Sequence, residues 1–373
     1  MRLNVPLTGA EELAEIAEVL ESGYLTQGPR AARFEKLIAE HIGATFAFAT
    51  SSATTGLHLA LHAVGVSAGD EVIIPDFSFP ATANAVIQQG AIPVFVDIDL
   101  ATFNLNPSLL EEAITPRTRA IMPVHAFGLT ADMTAISDIA ARHNIPVVED
   151  AACALGATHR GVSAGALGTA GVFSFHPRKI ITTGEGGLIS TSDEKVAASI
   201  SVLRSHGAVR GERYMSFIDA GYNYRLSDVH AAIGVAQMAR LDYILERRRA
   251  LAATYADLFV DTPGVTTPIT PAGDEHSFQS YVVLLDEDID RDHVIDGMKA
   301  RGIETTLGTY SMHLQPYFSE RFGISDEALP AATRAQRSAL TLPLYPQLEE
   351  SELQHVAEVL SEVVAGNRSA AKR

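Results

Sequence analysis

The first half of the chain alternates between short apolar runs and stretches of helical periodicity, and this alternation restricts the possible folds more than any other feature. Strand-like runs rich in β-branched residues lie at 45–50, 71–75, 92–96, 120–124 and 145–148. Between most of them the apolar positions recur at helical spacing, over 81–89, 108–114 and 132–143. Short apolar strands separated by helices predict an α/β fold whose largely parallel sheet is covered on both faces. Ligands in such sheets bind outside the carboxyl ends of the strands. The residues that follow each run are therefore the ones to read for chemistry.

Upstream, residues 10–22 and about 31–42 carry amphipathic helical patterns, with Gly23 placed to cap the first and a turn-rich link, Gly23-Tyr24-Leu25-Thr26-Gln27-Gly28-Pro29, between them. The run at 45–50 leads into Ser51-Ser52-Ala53-Thr54-Thr55-Gly56 and then into a helix. Small side chains let a backbone approach a ligand, and the first amides of a helix are free donors at its positive end. The hydroxyls of Ser52, Thr54 and Thr55 add further donors. Two readings are open: a phosphate cradle, or a Ser/Thr N-cap with no ligand. Phe79 and Asp150 each follow another run. Phe79 reads as a core residue or as a platform for stacking. Asp150 reads as the cap of a following helix or as the partner of a buried cation, such as a protonated ring nitrogen.

A fourth candidate is Lys179. Only five of the 28 basic residues are lysines, and this one lies in the polar turn His176-Pro177-Arg178-Lys179 between two strand-like runs. Arginine does not lose its proton in a protein and cannot serve as an amine nucleophile; lysine can. The competing reading is a solvated loop lysine.

Beyond that turn, helical periodicity resumes at about 193–204. A polar aromatic loop, Gly221-Tyr222-Asn223-Tyr224-Arg225, precedes a long helix expected from Ser227 to about Leu258. A loop over 263–275, a strand at 280–285 and helices at 291–301 and 351–364 then outline a smaller α/β unit, with 365–373 expected to fray. At 373 residues the chain is long for one core. Two domains are expected, residues 1–245 binding the ligand and 246–373 forming the smaller unit.

Composition removes several function classes. The net charge is −17 and the only basic run is Arg247-Arg248-Arg249, which argues against a nucleic-acid partner. A single cysteine, Cys153, leaves no intramolecular disulfide, and no metal site is expected from the scattered histidines. The N-terminus lacks the apolar core of a signal peptide and no run is long enough to cross a membrane. A cytoplasmic protein with no membrane partner is the expectation. A GxGxxG turn and a P-loop are both absent, which weighs against a NAD-dependent dehydrogenase and a P-loop nucleotide enzyme.

One cofactor asks for all four candidates together. Pyridoxal 5'-phosphate needs an amine for its aldehyde, a carboxylate for its pyridine nitrogen, a face for its ring and donors for its phosphate.

The sequence also resembles the DegT/DnrJ/EryC1/StrS aminotransferases, the sugar-nucleotide branch of the fold-type I pyridoxal phosphate enzymes. The resemblance rests on Ser174-Phe175-His176-Pro177-Arg178-Lys179 followed by Thr182-Thr183-Gly184-Glu185-Gly186-Gly187. It extends to Glu149-Asp150-Ala151-Ala152, Gly221-Tyr222-Asn223-Tyr224-Arg225 and His313-Leu314-Gln315-Pro316, and spans nearly the whole chain. It implies that Lys179 forms the internal aldimine and shuttles the proton, that Asp150 pairs with the pyridinium nitrogen, and that Phe79 stacks on the ring. Ser174, Thr54 and Thr55 match phosphate-binding positions. Asn223 matches a residue that reaches the phosphate of a neighbouring subunit, which implies a homodimer with shared sites. His206, Arg225, Tyr310 and His313 are candidates either for substrate contact or for a purely structural role, Arg225 for the donor carboxylate or for a plain salt bridge. The implied reaction moves an amino group from glutamate to a nucleotide-linked ketosugar. A keto-cyclitol acceptor and a non-catalytic, cofactor-binding regulator are the alternatives. The family's sugar 3-dehydratases replace the lysine with histidine, so Lys179 favours amino transfer. Cys153 departs from the family, which often has Gln or His there, near the cofactor ring. A thiol is a poor hydrogen-bond donor.

Overall fold

The computed structural model describes residues 1–371. Seven strands form one mixed sheet: β1 (Phe46–Thr50), β2 (Glu71–Pro75), β3 (Ile92–Val96), β4 (Thr118–Ile121), β5 (Val148–Asp150), β6 (Ala170–Ser174) and β7 (Gly187–Thr191). β3, β2 and β4 pair in parallel. Bridges Ile121–Val147 and Val124–Asp150 carry the ladder to β5, which pairs in parallel with β6. β7 lies antiparallel between β6 and β1. The spatial order is β3-β2-β4-β5-β6-β7-β1, and β7 alone is reversed. The link from β6 to β7 carries no helix to make a crossover, so the return strand has to run antiparallel.

Side-chain alternation along the strands sets the two faces. Val172 and Ile189 join a core with Leu57 and Leu61 of α3 (Ala53–Ala63) and Val86 of α4 (Pro80–Gln88). Their neighbours Phe173 and Leu188 join the opposite core with Phe34 and Ile38 of α2 (Pro29–Ile42) and with Val235. β2 and β7 are buried at every position, as a strand covered on both faces must be. Gly23, in the left-handed region at φ 74°, closes α1 (Ala10–Ser22) through an N–H bond to the Val19 carbonyl.

The long helix expected from Ser227 is two helices, Asp228–Met238 and Leu241–Phe259. Arg240 leaves the helical region at φ −122° and binds Glu12 with its guanidinium, while Gln237 donates to the Leu7 carbonyl and to Glu12. Holding the N-terminal helix in this way breaks the longer one. The second of the two crosses residue 245. Its Leu241, Ile244 and Leu245 belong to the core under the large sheet. Its Leu251, Tyr255 and Phe259 belong to a separate core, built on an antiparallel sheet that includes Tyr281–Leu285 and Ala339–Leu342.

The chain end is also more ordered than expected. A helix runs through Glu350–Ala371, anchored by Asn367, which accepts the N–H of Asp290 at 3.3 Å, and by Arg368 against Asp286 and Asp288. Positions 372 and 373 of that expectation lie outside the described residues. Among the described residues, no helix is long and apolar enough to cross a membrane.

Candidate active site

The strand register builds the site from its floor. Gly187 at the start of β7 faces Ser174 at the end of β6 and Thr50 at the end of β1. The chain leaves Thr50 through Ser51 and Ser52 into α3, so the helix start and Ser174 stand either side of Gly187. A Cβ on Gly187 would sit 2.5 Å from the Ala53 nitrogen, which requires glycine there. Ser52 is the N-cap of α3, its hydroxyl accepting the Thr55 N–H at 3.2 Å. The Thr55 hydroxyl turns back into the same turn, accepting the Ser52 N–H at 3.1 Å and bonding the Ser52 carbonyl at 2.8 Å. Among the described residues, the N–H groups of Ala53 and Thr54 and the half-buried Thr54 hydroxyl have no partner, and Ser174 accepts only a long 3.4 Å bond from the His176 N–H. This is a shallow cradle of unspent donors at a helix N-terminus.

Beside it, Asp150 ends β5 with its carboxyl buried. Oδ2 accepts the Thr82 hydroxyl at 2.7 Å and Oδ1 the Ala152 N–H at 3.2 Å. No helix follows, so the capping alternative falls away. Burial pushes this carboxyl above the ordinary range, against the two hydrogen bonds and the charges of Lys179 and His125. A buried acid in this state fits a cationic partner that would keep it ionised. Phe79 lies at the N-cap of α4 and is 65% exposed, so it is not a core residue.

Lys179 sits in the β6–β7 connection, half-buried, its Nζ donating to Cys153 Sγ at 3.0 Å. The loop is held from within by Thr183 N–H and Thr182 Oγ1, both on the Phe175 carbonyl at 2.9 Å. From outside, Asn4 donates to the Pro177 carbonyl at 3.0 Å and Gln279 to that of Arg178 at 2.8 Å. The solvated-loop reading of Lys179 therefore gives way to a braced lysine. Cys153 follows Asp150 in one short segment, and the amine lies near enough for its charge to act on the acid.

The remaining candidates separate. Asn223 is exposed between Tyr222 and Tyr224, which stack at 4.7 Å and bond His62 and His58 of α3. Arg225 is half-buried and donates to the Ser205 hydroxyl at 2.9 Å; it forms no salt bridge among the described residues. His206 is exposed at φ 62° and Tyr310 is half-buried opposite Ser78. His313 is buried, with Nδ1 on Asp76 at 2.7 Å and Nε2 on Thr333 at 3.1 Å. Both ring nitrogens are occupied within the chain, so His313 is a brace rather than a substrate contact. The reading of the sequence passed over Thr82, whose signal was a threonine one turn into a helix that starts at a strand end. It also gave no role to Glu149, a buried carboxylate that accepts His125 Nε2–H and the N–H groups of Gly165, Leu167 and Gly168. That set fixes the strand end on which Asp150 sits.

Comparison with known proteins places this geometry. The sequence model of the DegT/DnrJ/EryC1/StrS aminotransferase family matches residues 6–361. The chain is 39% identical to the spore coat polysaccharide biosynthesis protein SpsC of Bacillus subtilis (strain 168), covering 97% of each. It is 40% identical to the GDP-perosamine synthase of Caulobacter vibrioides, over 96% of this chain and 97% of that one. Among solved structures, the putative sugar aminotransferase Spr1654 of Streptococcus pneumoniae in its PMP form superposes with a TM-score of 0.96 at 25% identity, covering 100% of both chains. A match of this extent, on a sheet with a lysine, an acid, an aromatic and a donor cradle at its carboxyl edge, shows that the chain belongs to the DegT/DnrJ/EryC1/StrS aminotransferase family, whose members depend on pyridoxal phosphate.

Proposed function

We propose that this enzyme transfers an amino group from glutamate to the keto carbon of a nucleotide-linked sugar, within amino-sugar biosynthesis. The observation that carries the reading is the nearness of the Lys179 amine to the buried Asp150 carboxyl, on which its charge acts, together with the exposed Phe79 and the donors at the start of α3. The kinship with a GDP-perosamine synthase supports a nucleotide-linked acceptor.

Pyridoxal phosphate supplies the electron sink that stabilises a developing carbanion. The chain supplies the rest. The N–H groups of Ala53 and Thr54, with the hydroxyls of Thr54 and Ser174, would hold the phosphate. Thr55 shapes the turn rather than donating. Phe79 would cover one face of the ring, and Asp150 would pair with the ring nitrogen. Lys179 Nζ is the amine that would hold the cofactor's aldehyde, and as a free amine it could accept and return a proton. Asn223 would reach the phosphate of a second subunit. Support for a homodimer comes from the apolar surface flanking Asn223. Tyr24 and Leu25 adjoin its segment through the Thr26–Ser227 bridge, and the hairpin carrying Tyr214, Phe217 and Ile218 adjoins it through the Ser205–Asn223 bridge.

The test is a panel of nucleotide-linked 3- and 4-ketosugars incubated with the reconstituted enzyme and glutamate, following 2-oxoglutarate. Release with at least one member is expected. Release with a free keto-cyclitol and with no nucleotide-linked sugar would overturn the acceptor class.

A further inference from the structure

We infer that Thr82 is a positioning residue for amino transfer: its hydroxyl, held by Ser78, keeps the Asp150 carboxylate ionised and turned toward the cofactor ring. The inference rests on the proposed role of Asp150.

A threonine inside a helix usually returns its hydroxyl to a carbonyl of the preceding turn. Thr82 does not. Its Oγ1 lies 2.7 Å from Asp150 Oδ2 and 2.7 Å from Ser78 Oγ, and all three side chains are buried. An ionised carboxylate only accepts, so the single hydroxyl proton of Thr82 points to Asp150. The Thr82 oxygen is then left to accept, and Ser78 donates to it. This directed chain satisfies one carboxylate oxygen, and the Ala152 N–H satisfies the other. Removing the Thr82 donor leaves burial, which favours the protonated acid, more weakly opposed.

The same turn indexes the rest of the site. Thr82 N–H donates to the Phe79 carbonyl at 3.1 Å, so the stacking residue and the donor to the acid move as one piece. Its base is locked, because Asp76 takes the backbone N–H of His313 at 2.9 Å and its imidazole at 2.7 Å, and the Asp76 carbonyl takes the Met312 N–H at 2.9 Å. The ring face and the ring nitrogen are thus positioned from one rigid first turn of α4.

The experiment is a double-mutant cycle on the reconstituted enzyme with Thr82→Val, Asp150→Asn and the pair, plus Thr82→Ser and Ser78→Ala. Three quantities are read: cofactor dissociation by equilibrium titration, the pH profile of the bound cofactor's absorption, and kcat and KM for the donor half-reaction. Thr82→Val should weaken cofactor binding by roughly tenfold to a hundredfold, the range of a hydrogen bond to a charged group. It should also shift the absorption profile and lower kcat with KM for glutamate unchanged. Thr82→Ser should restore all three to within a few-fold, and Ser78→Ala should move them the same way by less. In the Asp150→Asn background Thr82→Val should add nothing. Equal losses in both backgrounds, or a Thr82→Val enzyme with wild-type affinity and profile, would overturn the inference while leaving Asp150 in place. An Asp150→Asn enzyme identical to wild type would instead remove the reading on which it rests. If Thr82→Val fails to fold, an unchanged Ser78→Ala profile would sink the relay.

Discussion

Lys179 Nζ rests on a thiol and its loop is braced from both sides, so its replacement tests chemistry more than architecture. Lys179→Ala should keep the fold and still take up cofactor through the phosphate cradle and Asp150, yet complete no second turnover. Product formation in excess of enzyme, measured by mixing with donor and acceptor, would remove Lys179 from the assigned role. At this scale the sequence was legible where a residue type is chemically exclusive. Lysine as an amine and aspartate at a strand end were both visible. Thr82 was not, because a helical threonine carries no mark of where its hydroxyl points. His313 stood open between a substrate contact and a structural role for the same reason, and only packing shows Asp76 and Thr333 occupying both ring nitrogens.

At the scale of elements, α3 is where fold and site share one feature. The Ser52–Thr55 capping box satisfies part of the helix start and leaves the next donors open toward the cradle. Ser52→Ala should therefore act twice. It should cost about 1 kcal/mol of stability, the usual worth of an N-cap, and it should weaken phosphate binding by loosening the turn. Thermal melts with and without cofactor measure both: the melting point falls in each, and the gap between them narrows. An unchanged gap would separate the cap from the cradle. The small-residue turn was readable as an N-terminus from its order after a strand. That Thr55 is spent inside the turn while Thr54 is free was not readable, since both are hydroxyls one position apart.

For the whole molecule, two expectations concern how its parts meet. If Asn223 serves the neighbouring subunit, Lys179→Ala and Asn223→Ala enzymes should each be impaired but regain activity when mixed and re-equilibrated. Each hybrid then holds one site with an intact lysine and an intact asparagine. Mixtures with no more activity than the parents would place Asn223 in its own subunit's site. The second expectation concerns His276, near the junction of the two cores. It is buried, stacks on Phe278 at 3.9 Å and accepts that residue's N–H at Nδ1. Burial, with the charge of Arg249, lowers its pKa to about 3. A folded-state pKa below the unfolded value means that the unfolded chain binds the proton first. Stability from this group is thus complete above about pH 6.5 and is lost as pH falls toward 3, on the order of 5 kcal/mol at most. Denaturant melts from pH 7 to 4 should show a shallower decline for His276→Gln than for the parent; parallel declines would refute the assignment.

The alternation of apolar runs and helices specified an α/β sheet, and the order of small, acidic and basic residues after those runs pointed to a phosphate-bearing cofactor. Both are local properties, because periodicity and turn chemistry act over a few neighbours. Tertiary structure decided the rest. It set the reversed strand that brings Gly187 between Ser174 and the start of α3. It divided one helical pattern into two at Arg240, where a contact with Glu12 outweighs propensity. It also chose which hydroxyl meets Asp150. Each of these joins residues far apart in the chain, and their partners are selected by packing and by the need to satisfy buried polar groups, which no local pattern encodes.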